Sequence, residues 1–232
     1  MRLQKYLSGA GFCSRRRGEK YILEGHVRVN DRVITELGTK IDPEEDRIEV
    51  DDTPIVMDEN PVYIALNKPK GYITTCRRNH PDEKIVMDLI DIAERVYPIG
   101  RLDKDSTGLL LLTNDGRLHH GLSHPSFDHE KEYEVHVAEA IPEGALRSMA
   151  KGLPMMGTKT RPAGIQRLNP KVFRMVLKEG KNRQIRRMVR KVGSQVADLR
   201  RIRIANLKIG SLAEGKWRHL TADEKRPLLK DL

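Results

Sequence analysis

The sequence predicts an α+β protein in two parts, and three observations point there. Residues 1–35 read as two short helices followed by a hairpin, residues 62–210 are dominated by apolar runs and alternations of strand length, and charge falls in blocks that set the two regions apart. The predicted division is a basic module with an acidic linker over residues 1–58 and a larger domain over 59–232. At 232 residues and 38% hydrophobic, the chain can bury a substantial core, which excludes a disordered protein.

The formal charge of +10 favours a polyanionic partner, and its distribution sharpens that expectation. Residues 1–30 hold seven Lys/Arg against two Asp/Glu, and residues 171–208 hold thirteen against two. Residues 36–59 reverse the balance, two against ten. Two basic blocks flanking an acidic connector imply two surfaces for nucleic acid and a segment kept off it. Cys13 and Cys76 fit neither a disulfide framework nor a four-ligand zinc site, so a reducing cytoplasm is expected. MRLQKYLSGAG lacks the apolar core of a signal peptide and no later stretch approaches a membrane span.

Taken in order, Leu3, Tyr6, Leu7 and Ala10 recur at helical spacing before Gly9 and Gly11 end the turn. Ser14 is placed to cap a second helix, in which Gly18, Tyr21 and Ile22 make the inward stripe and Gly25 the stop. Arg15, Arg16 and Arg17 crowd its first turn, where the helix dipole disfavours cations, so they are assigned to a ligand. HVRVNDRVI reads as a hairpin about Asn30-Asp31, and RIEV as the last strand before the acidic linker. Arg2-Leu3, Lys5-Tyr6-Leu7, Ser14-Arg15-Arg16, Ile22, Gly25, Val27 and Val29-Asn30 make this unit resemble the RNA-binding module of small-subunit ribosomal protein four, which presents basic residues to folded RNA.

The second part opens with VYIALNKPKGYITT, two strands about a Lys-Pro-Lys-Gly turn; Lys68 and Lys70 are assigned mainly to shaping it. A helix is predicted near 85–94. Leu109, Leu110, Leu111 and Leu112 then run without a break from Gly108 to the turn signal Asn114-Asp115-Gly116, as a strand buried on both faces does. Asp103 and Asp105 sit at its mouth, where a carboxylate loses hydration and needs a cation, the setting in which enzymes tune acids and nucleophiles.

His119, His120, His124 and His129 match no zinc spacing and read as surface or RNA-facing, so no metal is expected. Lys131 and Tyr133 lie on one side of the alternating strand KEYEVHV, which makes Tyr133 a candidate platform for a base, with a core-facing Tyr as the alternative. A helix is predicted over 142–153 and a strand over 164–168. After the strand VFRMVL, Asn182 is placed to cap a helix whose buried stripe is Ile185, Met188, Val189 and Val192. Its other stripe is Arg183, Arg186, Arg187 and Arg190, with no acidic residue in the helix; these cations call for phosphates or a buried carboxylate.

LNKPKG (66–71), GRLDKDSTGLLLLTNDG (100–116), EKEY (130–133) and GKNRQIRRM (180–188), in this order and spacing, make the chain resemble a ribosomal RNA pseudouridine synthase carrying an S4-type module. The wording of these stretches is closest to the large-subunit subgroup F, with subgroup B and the small-subunit enzyme as neighbours. The resemblance implies a mixed, mostly antiparallel central sheet flanked by helices. It makes Asp103 the nucleophile, Tyr133 the residue stacked on the target uracil, Arg186 the partner of the Asp103 carboxylate, and Arg101 a holder of the RNA backbone or of the gap left by the base. Lys5, Arg15, Arg16, Arg17, Lys131, Arg183, Arg187 and Arg190 become RNA contacts. Ribosomal RNA is the implied partner, transfer RNA is left open as a second substrate, and a cytoplasmic monomer without cofactor is expected. Two rivals remain: an RNA-binding assembly factor with an inactive domain, and a phosphotransferase or nuclease using Asp103 and Asp105 on magnesium.

Overall fold

In the first unit, formed by Met1–Val62 with Ile92–Val96 and Asn114–Gly116, helix α1 spans Leu3–Gly9 and α2 spans Arg15–Leu23. The structure is a computed structural model and describes residues 1–57, 60–123 and 128–230. The Arg17 amide donates to Ser14 Oγ at 3.3 Å, which is the predicted cap of α2. Val27–Val29 (β1) returns as Arg32–Ile34 (β2) through Asn30 and Asp31, both at positive φ, so the two-residue turn is of the mirror-image type that matches strand twist. Ile48–Val50 (β3) pairs with the other edge of β1. Thr53–Pro54 (β4) adds a fourth strand inside the stretch read as linker, giving the order β2-β1-β3-β4. Leu3, Leu7, Ile22, Val27 and Ile48 form the centre of this unit's core.

The second unit is built on Tyr63–Lys68 (β5), Tyr97–Ile99 (β6), Thr107–Thr113 (β7), Gly116–Ser123 (α3), Lys131–Val137 (β8), Glu143–Ala150 (α4), Pro154–Met155 (β9), Thr158–Lys159 (β10), Gly164–Asn169 (β11), Val172–Leu177 (β12), Gln184–Lys191 (α5), Val196–Ile204 (β13), Leu207–Lys208 (β14), Trp217–His219 (β15) and Ala222–Leu229 (α6). One sheet runs β11-β12-β8-β13-β7-β5-β15, with β6 also on β7 and β14 on β13. Among the described strands of this sheet only β13 and β7 pair in parallel; the other pairings are antiparallel, so the class is α+β with a mixed, mostly antiparallel sheet.

Every residue of β7 is buried. Leu109 and Leu111 join the core cluster of Tyr63, Ala65, Leu118, Ile204 and Leu220, while Leu110 and Leu112 point to the opposite face and are equally covered. Gly108 is required at the start of this strand. Its φ is +101°, and a Cβ there would lie 2.2 Å from the Arg201 carbonyl oxygen of β13.

Three expectations are corrected here. Residues 85–94 contain a single 3₁₀ turn, Val86–Leu89, in place of a helix. The Asp88 carboxylate takes the Ile85 amide at 2.9 Å, Ile85 bridges to Ile73, and Ile90 returns to extended backbone. Asn114-Asp115-Gly116 ends β7 as expected but also leads directly into α3, whose Leu118 and Leu122 are buried four residues apart. Asn182 does not cap α5: Arg183 occupies that position at φ 50°, ψ 35°, and Asn182 Oδ1 instead accepts from Arg187 Nη2 at 3.0 Å.

Candidate active site

The sheet aligns one row of residues across five neighbouring strands. Lys68 of β5 pairs with Gly108 of β7, Gly108 with Arg201 of β13, Arg201 with Tyr133 of β8, and Tyr133 with Met175 of β12. The turn that carries Asp103 enters β7 immediately before this row, closed by the Ser106 amide on the Asp103 carbonyl at 3.0 Å.

Two elements hold that turn from below and behind. Lys68 is completely buried, and its Nζ donates to the carbonyls of Ser106 at 2.8 Å, Pro69 at 3.0 Å and Lys104 at 3.4 Å. Burial pushes the Lys68 ammonium down to about 8, an effect opposed by the charges of Asp103 and Asp105. Thr74 Oγ1 donates to the Leu102 carbonyl at 2.8 Å and lies 3.3 Å from the Leu102 amide that donates back to it. The Gly71 amide adds a bond to the Lys104 carbonyl at 2.8 Å. The strand and turn NKPKGYIT therefore shape the site and do not contact phosphate through Lys68, which has no surface to offer.

The Asp103 side chain keeps 31% of its surface exposed, enough for substrate to reach it. Its cation is Arg183, whose Nη1 lies 3.7 Å from Asp103 Oδ2 and 3.7 Å from Asp105 Oδ2. The expected Asp103–Arg186 ion pair is not the contact formed. The left-handed backbone of Arg183 at the start of α5 turns that side chain toward the two carboxylates, while Arg186, nearly a turn further on, reaches the main chain. Arg186 Nη2 donates to the Asp105 carbonyl at 3.0 Å and to Ser106 Oγ at 3.4 Å, and its buried Nε has no hydrogen-bond partner.

Tyr133 is 9% exposed at the centre of the row. Lys131, on the same side of β8, is half-buried; its Nζ donates to the His129 carbonyl at 3.3 Å, and burial, reinforced by the Arg201 charge, pushes its pKa down. The two acids of EKEY serve the scaffold: Glu132 and Glu130 accept from Arg203 at 2.8 and 3.0 Å across β8 and β13. Arg101 is exposed, and its carbonyl accepts from Arg201 Nη1 at 3.4 Å.

Arg187 and Arg190 are exposed on α5. In the first unit Lys5, Arg15 and Arg16 are exposed and, among the described residues, form no ion pair, while Arg17 folds over Tyr21, 5.3 Å from the ring centroid. Among the described residues no group of three His, Cys, Asp or Glu is arranged to hold a metal. His119 packs edge-on against Tyr97, and His124 lies outside the described residues.

Lys68 shapes the turn, as the sequence suggests, while sequence reasoning missed the parts played by Thr74 and Arg201. A signal for Arg201 was present: it stands two residues from Leu199 in a strand, which puts the two on the same side.

Residues 62–191 match the RNA pseudouridylate synthase family and residues 1–48 the S4 domain. The dual-specificity RNA pseudouridine synthase RluF of Escherichia coli K12 is 42% identical over 99% of this chain and 79% of its own length. The ribosomal large subunit pseudouridine synthase B of Bacillus subtilis is 40% identical over 98% of this chain and 95% of its own. A crystal structure of a pseudouridylate synthase superposes with a TM-score of 0.72 at 30% identity, covering 98% of this chain and 99% of that one. With an S4 match over residues 1–48 followed in sequence by a synthase match that carries the Asp103 turn, Tyr133 and the α5 arginines, this chain belongs to the RNA pseudouridine synthase family, isomerases that act on RNA.

Proposed function

We propose that the protein converts a specific uridine of large-subunit ribosomal RNA into pseudouridine, with Asp103 as the nucleophile acting on a base flipped out of its stack. The observation that carries this reading is the Asp103 carboxylate, open to solvent at the edge of a buried strand, beside Arg183 and on a turn pinned by the buried ammonium of Lys68. In the reaction the N1–C1′ bond breaks, the uracil turns, and C5 bonds to C1′. The hydrogen on C5 leaves as a proton and N1 takes one up, so product and substrate are isomers and no redox partner or cofactor is required. An ionised carboxylate beside a guanidinium supplies the nucleophile. Stacking on Tyr133 and backbone contacts offset the few kcal/mol, roughly, that base flipping costs.

In this reading residues 1–58 recognise folded RNA through Lys5, Arg15, Arg16 and Arg17, and residues 59–232 carry catalysis, with Arg101, Lys131, Arg183, Arg187 and Arg190 contacting the RNA. Arg186 steadies the Asp103 turn through the Asp105 carbonyl and Ser106 Oγ. The name of the Bacillus subtilis relative supports the large ribosomal subunit, and the dual specificity in the name of the Escherichia coli relative is consistent with a second RNA substrate, for which transfer RNA is our candidate. We assign the protein to the cytoplasm, where its proposed ribosomal RNA substrate lies, as a monomer.

The test is to map pseudouridines formed in transcribed large-subunit ribosomal RNA. Asp103→Asn should abolish product while RNA affinity stays nearly unchanged, because size is kept and no negative charge is added. Asp105→Asn should retain substantial activity, and EDTA should have no effect. Equal loss from both substitutions, or loss on chelation, would replace this reading by metal chemistry.

A further inference from the structure

A groove of about 520 Å³ lies between the β9–β10 hairpin and α5. One wall is Met155, Met156 and Gly157; the other is Arg187, Arg190 and Lys191, and among the described residues no carboxylate lines it. The hairpin is clamped at both ends of α5. Lys191 Nζ donates to the Pro154 carbonyl at 2.7 Å, and Lys181 Nζ donates to Thr158 Oγ1 at 2.7 Å and to the Lys159 carbonyl at 3.2 Å.

Met156 stands at the tip of this clamped turn. It takes φ 53°, a conformation that costs a residue with a Cβ roughly 1–2 kcal/mol and that Gly or Asn adopts more readily. The residue is 60% exposed and adjoins Met155 along one wall of the groove. The positive φ belongs to the two-residue mirror-image turn that Met156 and Gly157 (φ 75°) make between β9 and β10, a position that Gly or Asn would fill at less cost, so the turn holds Met156 at the lip of the groove.

We propose that this groove grips one strand of the RNA flanking the target uridine, its phosphates on Arg187 and Arg190 and a nucleobase against Met155 and Met156. This rests on the RNA pseudouridine synthase reading and deepens it. An occupant must be anionic along one side and apolar along the other, and a single-stranded or splayed RNA segment has that pattern: phosphates every nucleotide and a flat base beside them. Thioether side chains bind flat aromatic surfaces and adapt to any base, which suits a contact that holds the strand without reading its sequence.

The experiment compares the full-length protein with Met156→Gly and Arg190→Gln, measuring affinity for transcribed large-subunit ribosomal RNA across a salt series, alongside thermal midpoints and pseudouridine yield. Met156→Gly should keep or raise the thermal midpoint, because it relieves the left-handed backbone, yet weaken RNA binding about 5-fold with the salt slope unchanged. Arg190→Gln should weaken binding and lower the salt slope by about one unit. Affinity and salt slope unchanged in both variants would overturn the proposal, as would occupation of the groove by a protein partner with RNA binding intact. A wild-type protein that forms no pseudouridine would overturn the functional reading instead, and the affinity comparison would still decide the groove.

Discussion

Replacing Lys68 with Met separates the energetics of the fold from those of the reaction. The substitution keeps length and bulk but removes a fully buried ammonium and its three hydrogen bonds to the carbonyls of Ser106, Pro69 and Lys104. Bonds from a charged donor contribute at least about 1.5 kcal/mol each, so some 4–5 kcal/mol of interaction is lost, roughly. Against this, holding the ammonium pKa near 8 in place of 10.5 means that charging Lys68 in its site costs about 3 kcal/mol, at about 1.4 kcal/mol per unit. The net destabilisation is about 1 kcal/mol, a fall in Tm of about 2–4 °C for a chain of this size. The catalytic consequence is much larger, because the turn bearing Asp103 loses its anchor and a misplacement of about 1 Å can cost about 100-fold in rate.

The same substitution has a pH signature of opposite sign in stability and activity. Between pH 8 and 10.5 the unfolded chain keeps the Lys68 proton and the folded chain releases it. The unfolded state therefore binds more protons, and the contribution of Lys68 to the unfolding free energy rises with pH across that window by up to about 3 kcal/mol. Wild-type activity should fall over the same range, since a neutral amine has two hydrogens for three carbonyls. Urea unfolding and single-turnover rates of wild type and Lys68→Met from pH 7 to 10.5 measure both. A Lys68→Met rate within threefold of wild type, or a stability difference that stays flat with pH, would refute the reasoning.

Three further outcomes follow from the geometry. Arg183→Ala and Arg186→Ala should each lower the single-turnover rate at saturating RNA, the first by stripping the cation from Asp103 and the second by loosening Asp105 and Ser106; a rate restored by saturating RNA would reduce either residue to a binding contact. Gly108→Ala should destabilise the protein by more than about 4 kcal/mol or prevent folding, because its Cβ would lie 2.2 Å from a main-chain oxygen in the middle of the sheet; a Tm within a few degrees of wild type would show that β7 and β13 can separate. Deletion of residues 1–58 should weaken RNA binding and flatten its salt dependence while the remaining residues stay folded, as judged by circular dichroism and salt-series affinity; an unfolded remainder would move the domain boundary.

What the sequence determined by itself was what repeats locally. Ser14 before a helical stripe, Asn30-Asp31 between alternating strands, and four leucines in a row each specify an element through near-neighbour physics, and each stands where it was read. The motif order was equally legible, so the family, the Asp103 turn and the arginine face of α5 could be named before any fold was known. Tertiary structure decided which side chains meet. Arg183 and Arg186 stand three apart on one stripe, yet Arg183, left-handed at the start of α5, meets the Asp103 carboxylate and Arg186 the main chain of Asp105. Lys68, Gly108, Arg201 and Tyr133 are scattered over 134 residue positions and become neighbours through strand register alone. That register is set by which faces of β5, β7, β8 and β13 must be buried together, a long-range constraint that no local pattern in the chain encodes.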